Sequence, residues 1–443
     1  MAQNHPPRAH PPRPHPLRLG PRPLPQHLSL AAATWLNSGA ILPALRLGSQ
    51  SWAAQPESPN PNPNPDPSQN PNAQRESLRR RWRDLLKEVE RAEPMALAGA
   101  LQAEGLKRFD QLLTGVEKYR RYPKARDLPQ APVLWSAGTT RLLDYRQGKD
   151  GPENHGAPRL LVIPSLVNRY YILDLEAEAS FLRWCAAQGM APFVMDWGSP
   201  GDQERGFDFT DYVAGRLERA LDAVAREPGG PIFVIGYCMG GNLALALSIR
   251  RQAEIAGLIL LATPWDFHAE AKEHALMLAE IGRSLEPVMQ LFGELPVDIL
   301  QAFFSGFDPF QVLRKFQSFG AADPQSPGAR KFVALEDWLN DGMAVAARVA
   351  HECLAGWYGE NTPGRGLWSI AGEPVLPQRF QQPALSLVPA GDRIVPPKSA
   401  LALADALPKG ERMLPNAGHI GMMAGRGALP LVWEPMKAWI GAR

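Results

Sequence analysis

The chain has 443 residues, 45% of them hydrophobic, enough for one large core. Its 47 basic and 45 acidic residues leave a charge of +2, which excludes the strongly basic balance of a nucleic-acid binder. Three cysteines (Cys185, Cys238 and Cys353) exclude a disulfide framework, and no CxxC, HExxH or clustered Cys/His spacing offers a metal site.

Of the 45 prolines, 17 fall within residues 1–75. Residues 1–27 repeat Pro with Arg and His, and residues 56–71 read PESPNPNPNPDPSQNP, a composition that favours extended, solvated chain. Residues 1–75 are therefore expected to be a largely disordered leader. The apolar stretch 28–52 within it reads as a short packing or docking helix. A signal peptide is the competing reading, but the long Pro-rich lead-in and the interruptions at Asn37, Pro43 and Arg46 argue against it. No uninterrupted apolar run reaches 18 residues, so no spanning helix is expected.

Residues 76–132 read as a helical segment. It opens with LRRRWRDLLKEVERA, whose basic run reads as a solvated face because acids follow at once, and continues with a second helix near 95–119. VLWSAGTTRLLDYR (133–146) reads as a hairpin. Short apolar runs follow at 159–167, 192–198, 231–238, 258–264, 385–391 and 411–415, separated by helical patterns such as 208–224 with Asp208 as its N-cap. These alternating elements predict a mostly parallel, doubly wound sheet covered on both faces, with its site at the carboxyl ends of the strands. Residues 267–380 break the alternation. They are rich in Phe, Trp and Met and are expected to form a mainly helical cap between two core segments, 133–266 and 381–443.

At the end of the 231–238 strand stands Gly236-Tyr237-Cys238-Met239-Gly240-Gly241, then a helical NLALALSIRR. G-x-C-x-G between strand and helix is the nucleophile elbow of the α/β-hydrolase fold, with Cys in place of Ser. The turn needs glycines two residues either side of the nucleophile. The helix N-terminus favours a thiolate, and the Met239 N–H is set to donate to an oxyanion. In this fold an acid and then a base follow in the chain. Asp392 in VPAGDRIVP and His419 in PNAGHIGMM each sit just past a strand. Asp266 in LATPWDF is a rival acid, for which hydrogen bonding at the cap hinge is the alternative reading.

Together these motifs resemble the polyhydroxyalkanoate synthases over roughly residues 155–425. IPSLVNRYYILDL (163–175), DWGSPG (196–201), GYCMGG (236–241), ATPWDF (262–267), GDRIVP and AGHI occur in the family's order, and DWGSPG is similar to the strand end of the shorter, two-component class III synthases. The leader does not resemble the N-terminal domain of the long single-component synthases. The resemblance implies a cytoplasmic, granule-associated acyltransferase. In it, Cys238 is acylated by a 3-hydroxyacyl-CoA, His419 acts as base, Asp392 orients it or assists the elongating hydroxyl, and Leu166 or Val167 supplies a second oxyanion amide. It implies no cofactor, CoA entering only as part of the thioester substrate. The partners it implies are the growing polyester or granule surface, a second synthase subunit and a second copy of the chain. The cap aromatics Trp265, Phe303, Phe304, Phe307, Phe310 and Trp338 would exclude water and so favour polymerisation. A Cys-triad hydrolase (thioesterase or polyester depolymerase) and a non-catalytic granule protein are the alternatives.

Overall fold

The computed structural model describes residues 18–37, 71–123, 126, 128–146, 156–270, 272–306 and 308–443. They fall into two compact units, Pro123–Pro309 with Gln325–Arg443, and Pro16–Tyr122 with Phe310–Pro324.

The larger unit is built on eight strands: β1 (Val133–Ala137), β2 (Thr140–Asp144), β3 (Arg159–Ile163), β4 (Ala191–Asp196), β5 (Ile232–Tyr237), β6 (Gly257–Leu261), β7 (Ala384–Leu387) and β8 (Gly410–Met413). Their order across the sheet is β1-β2-β4-β3-β5-β6-β7-β8. The hairpin β1–β2 and the β2–β4 pair are antiparallel; every other neighbour is parallel. Burial follows from this order. β4, β5, β6 and β7 are buried along their whole length, whereas the edge strands β1 and β8 have no buried residue. The two-residue period divides the strands between two cores. Leu161, Ile163, Phe193, Val234 and Leu258 pack on one face, and Leu160, Val162, Val194, Phe233 and Ile259 on the other.

Each of the six strand runs ends one to four residues before its expected end, because the turns at the carboxyl ends begin there. β3 stops at Ile163, before Pro164, rather than running to 167. The helix after β4 carries the expected cap: Asp208 accepts from the Asp211 N–H (3.2 Å), and Asp211 accepts in return from the Asp208 N–H (3.0 Å).

Residues 267–380 do not form one piece. Helices Lys272–Ser284, Glu286–Phe292, Val297–Gly306 and Pro327–Asn340 belong to the larger unit, whereas helix Gln311–Ala321 groups with the N-terminal helices. The reason is close packing against helix Pro94–Arg120. A Cβ at Gly115 would lie 1.9 Å from the Phe316 carbonyl oxygen, so the two backbones meet only because glycine stands there. Tyr119 and Phe316 pack edge to face at 5.5 Å, and the Tyr122 hydroxyl donates to the Pro324 carbonyl (2.7 Å).

The leader is also more structured than its composition suggests. Helix Leu24–Ala31 begins before residue 28 and continues through Ala32–Leu36, with His27 and Ala31 buried. Arg18 stacks on Tyr119 and Tyr122, so this part of the chain is held by the unit it precedes. Residues 38–52 of the expected apolar helix lie outside the described residues. Helix Pro71–Arg91 starts inside the stretch assigned to the leader. Among the described residues, no helix is long and apolar enough to cross a membrane.

Candidate active site

The chain passes from β3 outward to β4 and back to β5 on the other side, which opens a crevice at the carboxyl ends of β3 and β5. Cys238 follows β5 directly, at φ 56° and ψ −131°, a conformation that costs an L-residue of the order of 1–3 kcal/mol. The strain is held from both sides. The Cys238 N–H donates to the Leu261 carbonyl of β6 (2.8 Å), and its carbonyl accepts from the Gly241 N–H (2.8 Å). The flanking glycines are sterically required. A Cβ at Gly236 would lie 2.4 Å from the Gly241 Cα, and one at Gly240 would lie 2.1 Å from the Ile163 carbonyl oxygen. Helix Met239–Arg250 then runs away from the thiol, leaving the Met239 N–H at its first turn.

Asp392 and His419 come together. His419 Nδ1 donates to Asp392 Oδ2 at 2.7 Å, and both side chains are buried. The other carboxylate oxygen, Oδ1, accepts from the Ile394 and Val395 N–H groups (2.8 and 2.9 Å), which fixes the acid in its loop. The imidazole is also coupled electrostatically to the Cys238 sulfur. Burial opposes charge on His419, but the Cys238 sulfur and the Asp392 carboxylate outweigh it, and the imidazole is pushed up to about 10.

Asp266 is engaged elsewhere. Its Oδ1 accepts from Asn361 Nδ2 (2.8 Å) and from the His268 N–H (2.9 Å), while Asn361 Oδ1 accepts from the Phe267 N–H (3.0 Å). This ties the end of β6 to the cap, the hinge role considered above.

Of the two second amides, Val167 N–H makes a long contact with Ser165 Oγ (3.4 Å), and the Leu166 N–H has no partner among the described residues. The loop carrying them is pinned by two indoles that the sequence did not single out for this. Trp197 Nε1 donates to the Pro164 carbonyl (3.0 Å), and Trp338 Nε1 to the Arg169 carbonyl (2.8 Å). The Val167 carbonyl accepts from the Met343 N–H (3.2 Å). Tyr237 was missed as well. It stacks on His419 at 5.2 Å and donates its hydroxyl to the His419 carbonyl (3.1 Å). Its place beside Cys238 on a buried strand was the available signal.

Cys238 packs with Ile394 and Leu401 against buried Val388, Val395 and Ala400, so the nucleophile candidate has apolar neighbours. Of the expected cap aromatics, Trp265 and Trp338 are core residues and Phe303 and Phe304 pack partly buried against the core. Phe310 instead belongs to the smaller unit and is exposed, because the chain leaves the cap there, and Phe307 lies outside the described residues. Among the described residues no cluster of His, Cys, Asp and Glu could hold a metal ion.

This strand order, with an elbow after β5 and an acid and a histidine following β7 and β8, is that of the α/β-hydrolases. A family model described as serine aminopeptidase, S33, matches residues 177–306, and one described as poly-beta-hydroxybutyrate polymerase (PhaC) N-terminus matches residues 127–185. The poly(3-hydroxyalkanoate) polymerase subunit PhaC of Haloferax mediterranei is 26% identical over 316 residues, which cover 70% of this chain and 63% of that one. Its counterpart from Allochromatium vinosum is 24% identical over 315 residues, covering 70% of this chain and 88% of that one. Among solved structures, a soluble variant of monoglyceride lipase from Saccharomyces cerevisiae is 16% identical with a TM-score of 0.45, covering 72% of this chain and 97% of that one. The chain is a relative of the poly(3-hydroxyalkanoate) polymerases within the α/β-hydrolase fold. The family match at 127–185 begins upstream of the motifs that suggested it.

Proposed function

We propose that the protein is a polyhydroxyalkanoate synthase-type acyltransferase that polymerises 3-hydroxyacyl groups from CoA thioesters through Cys238. The observation that carries this reading is the buried hydrogen bond between His419 and Asp392, with His419 electrostatically coupled to the strained Cys238. His419, flanked by the carboxylate and the sulfur, favours the imidazolium form. Cys238 as thiolate attacks the thioester carbonyl, and the oxyanion is met by the Met239 N–H and by that of Leu166 or Val167. Collapse expels CoA, whose sulfur takes the proton from His419. The site now holds a thioester and a neutral imidazole. Acylation has removed the sulfur's charge, one of the groups that raised His419, so the ring can act as a base. It takes the proton of an incoming 3-hydroxyl, which attacks the acyl-enzyme. The ester forms, the Cys238 thiolate leaves, and the imidazolium is restored.

Thiol chemistry suits this cycle because one thioester replaces another at nearly equal energy, so neither step is uphill. The apolar surface around Cys238 favours a polyester hydroxyl over water as acceptor. CoA enters as part of the substrate, and the cycle needs no cofactor. A cytoplasmic reaction on a growing granule, with a second synthase subunit or a second copy of the chain, completes the proposal. The relatives' designation as polymerase subunits supports the first of these partners. Incubation of the purified protein with 3-hydroxybutyryl-CoA tests it. Synthesis yields free CoA and sedimentable polyester; CoA with free 3-hydroxybutyrate would instead make the protein a hydrolase. Cys238→Ala should lower CoA release by at least about 10,000-fold, and retained turnover would remove Cys238 from the mechanism.

A further inference from the structure

Tyr237, the last residue of β5, touches the base of the triad twice and takes no part in the mechanism above. Its ring lies on the His419 imidazole, with centroids 5.2 Å apart and planes 26° from parallel. Its hydroxyl donates to the His419 carbonyl at 3.1 Å, so one side chain holds both the ring and the backbone of a residue 182 positions away. The tyrosine itself has little freedom. It is buried, its backbone pairs with Leu261 of β6, and the strained Cys238 follows it directly. Burial, with charge at Cys238 and Asp392, pushes the phenol well above its ordinary 10, so the hydroxyl stays a donor.

The Asp392 bond, at 2.7 Å, fixes one edge of the imidazole, and a ring held at one edge can still rock about that bond. A contact on its face removes this freedom. The face of an aromatic ring also carries negative charge density and attracts a cation placed on it. Burial opposes charge on His419, while Cys238 and Asp392, the charged groups facing it, favour the protonated form; Tyr237 adds a third contact of the same sense. We infer that Tyr237 is a positioning residue for His419: its ring sets the imidazole plane and favours the imidazolium, and its hydroxyl anchors the loop that carries the histidine. This rests on the acyltransfer reading and concerns the base of the same site. Each proton transfer of the cycle passes through that imidazole, so the effect of Tyr237 falls on the chemical step. Being buried, Tyr237 leaves substrate binding to other residues.

The test compares the full chain with Tyr237→Phe, which keeps the face contact and removes the hydroxyl, and with Tyr237→Leu, which removes both. The readouts are the kinetics of CoA release from 3-hydroxybutyryl-CoA and the His419 midpoint from nitrogen NMR of labelled histidine. Tyr237→Leu should lower kcat about 10- to 100-fold, with KM held within about twofold. Its His419 midpoint should fall by about half a unit to one unit. Tyr237→Phe should keep the midpoint and lose less than about tenfold in kcat. A purely structural tyrosine would lower the melting temperature of both variants and leave the midpoint of the folded protein unmoved. An unmoved midpoint in Tyr237→Leu, an equal shift in Tyr237→Phe, or a loss that appears in KM alone overturns the inference. Tyr237→Met, closer in volume, takes the place of the leucine variant if that does not fold. Absence of CoA release by the unsubstituted protein would overturn the acyltransfer reading. The midpoint comparison needs no turnover and still decides whether Tyr237 governs the histidine.

Discussion

Asp392→Asn is the most discriminating single change in the triad, because the two carboxylate oxygens have separate jobs. Oδ1 holds the loop through the Ile394 and Val395 amides, and Oδ2 accepts the His419 Nδ1 proton. An asparagine oxygen in the first position keeps both loop bonds. Its NH2 group in the second would face Nδ1–H, donor against donor. The ring must then carry its proton on the nitrogen that faces Cys238, where it cannot receive one from a thiol or an acceptor hydroxyl. The imidazolium also loses its carboxylate. Loss of correct tautomer and charge together should lower kcat about 1,000- to 10,000-fold, or about 4–5.5 kcal/mol of transition-state stabilisation. The fold should survive, since one charged hydrogen bond is worth about 1.5–3 kcal/mol. Asp392→Ala additionally strands the two loop amides and should melt lower than Asp392→Asn. The assay is the initial rate of CoA release at saturating 3-hydroxybutyryl-CoA, with thermal melts of the same preparations and Asp266→Asn alongside. Asp266 bonds the cap hinge, so its variant should keep most of kcat. Asp392→Asn retaining more than a tenth of kcat, or Asp266→Asn losing more than Asp392→Asn, would refute the assignment.

His419 should titrate near 10 in the folded protein, well above the ordinary 6.5. A raised folded pKa means its stabilising contribution is fully present below about 6.5 and is lost as pH rises through about 10. Nitrogen NMR of labelled histidine should show this midpoint, and Cys238→Ala should lower it by removing a charge that raises it; an unchanged midpoint would contradict the coupling. At the elbow, a Cβ at Gly241 would lie 1.8 Å from Thr263 Oγ1. Gly241→Ala should therefore cost about 1–3 kcal/mol by overpacking and displace Cys238. A lower melting midpoint with lost turnover is expected, and an unshifted melt with full activity would show that the turn tolerates the added atom.

How much of this was legible beforehand depended on whether the decisive contact was local. The buried parallel strands were readable because covering both faces leaves apolar runs such as RLLVI and PIFVI in the sequence. The elbow was readable because its steric demand falls on residues within three positions of Cys238. Elsewhere the partners are distant in sequence. Gly115 looks like any helix glycine until Phe316 is brought against it, so the transfer of helix Gln311–Ala321 from the cap to the N-terminal unit left no local mark. The indoles of Trp197 and Trp338 were visible as aromatics but not as supports of the Pro164–Arg169 loop. The choice between acids shows the limit most clearly. Asp266 and Asp392 both follow buried strands in short loops, and each carboxylate takes a backbone N–H within the next three residues. What separates them is the second partner: a cap asparagine for one and His419 for the other. The proposed catalytic role of Asp392 and the hinge contact of Asp266 thus rest on which loop closes over each carboxylate.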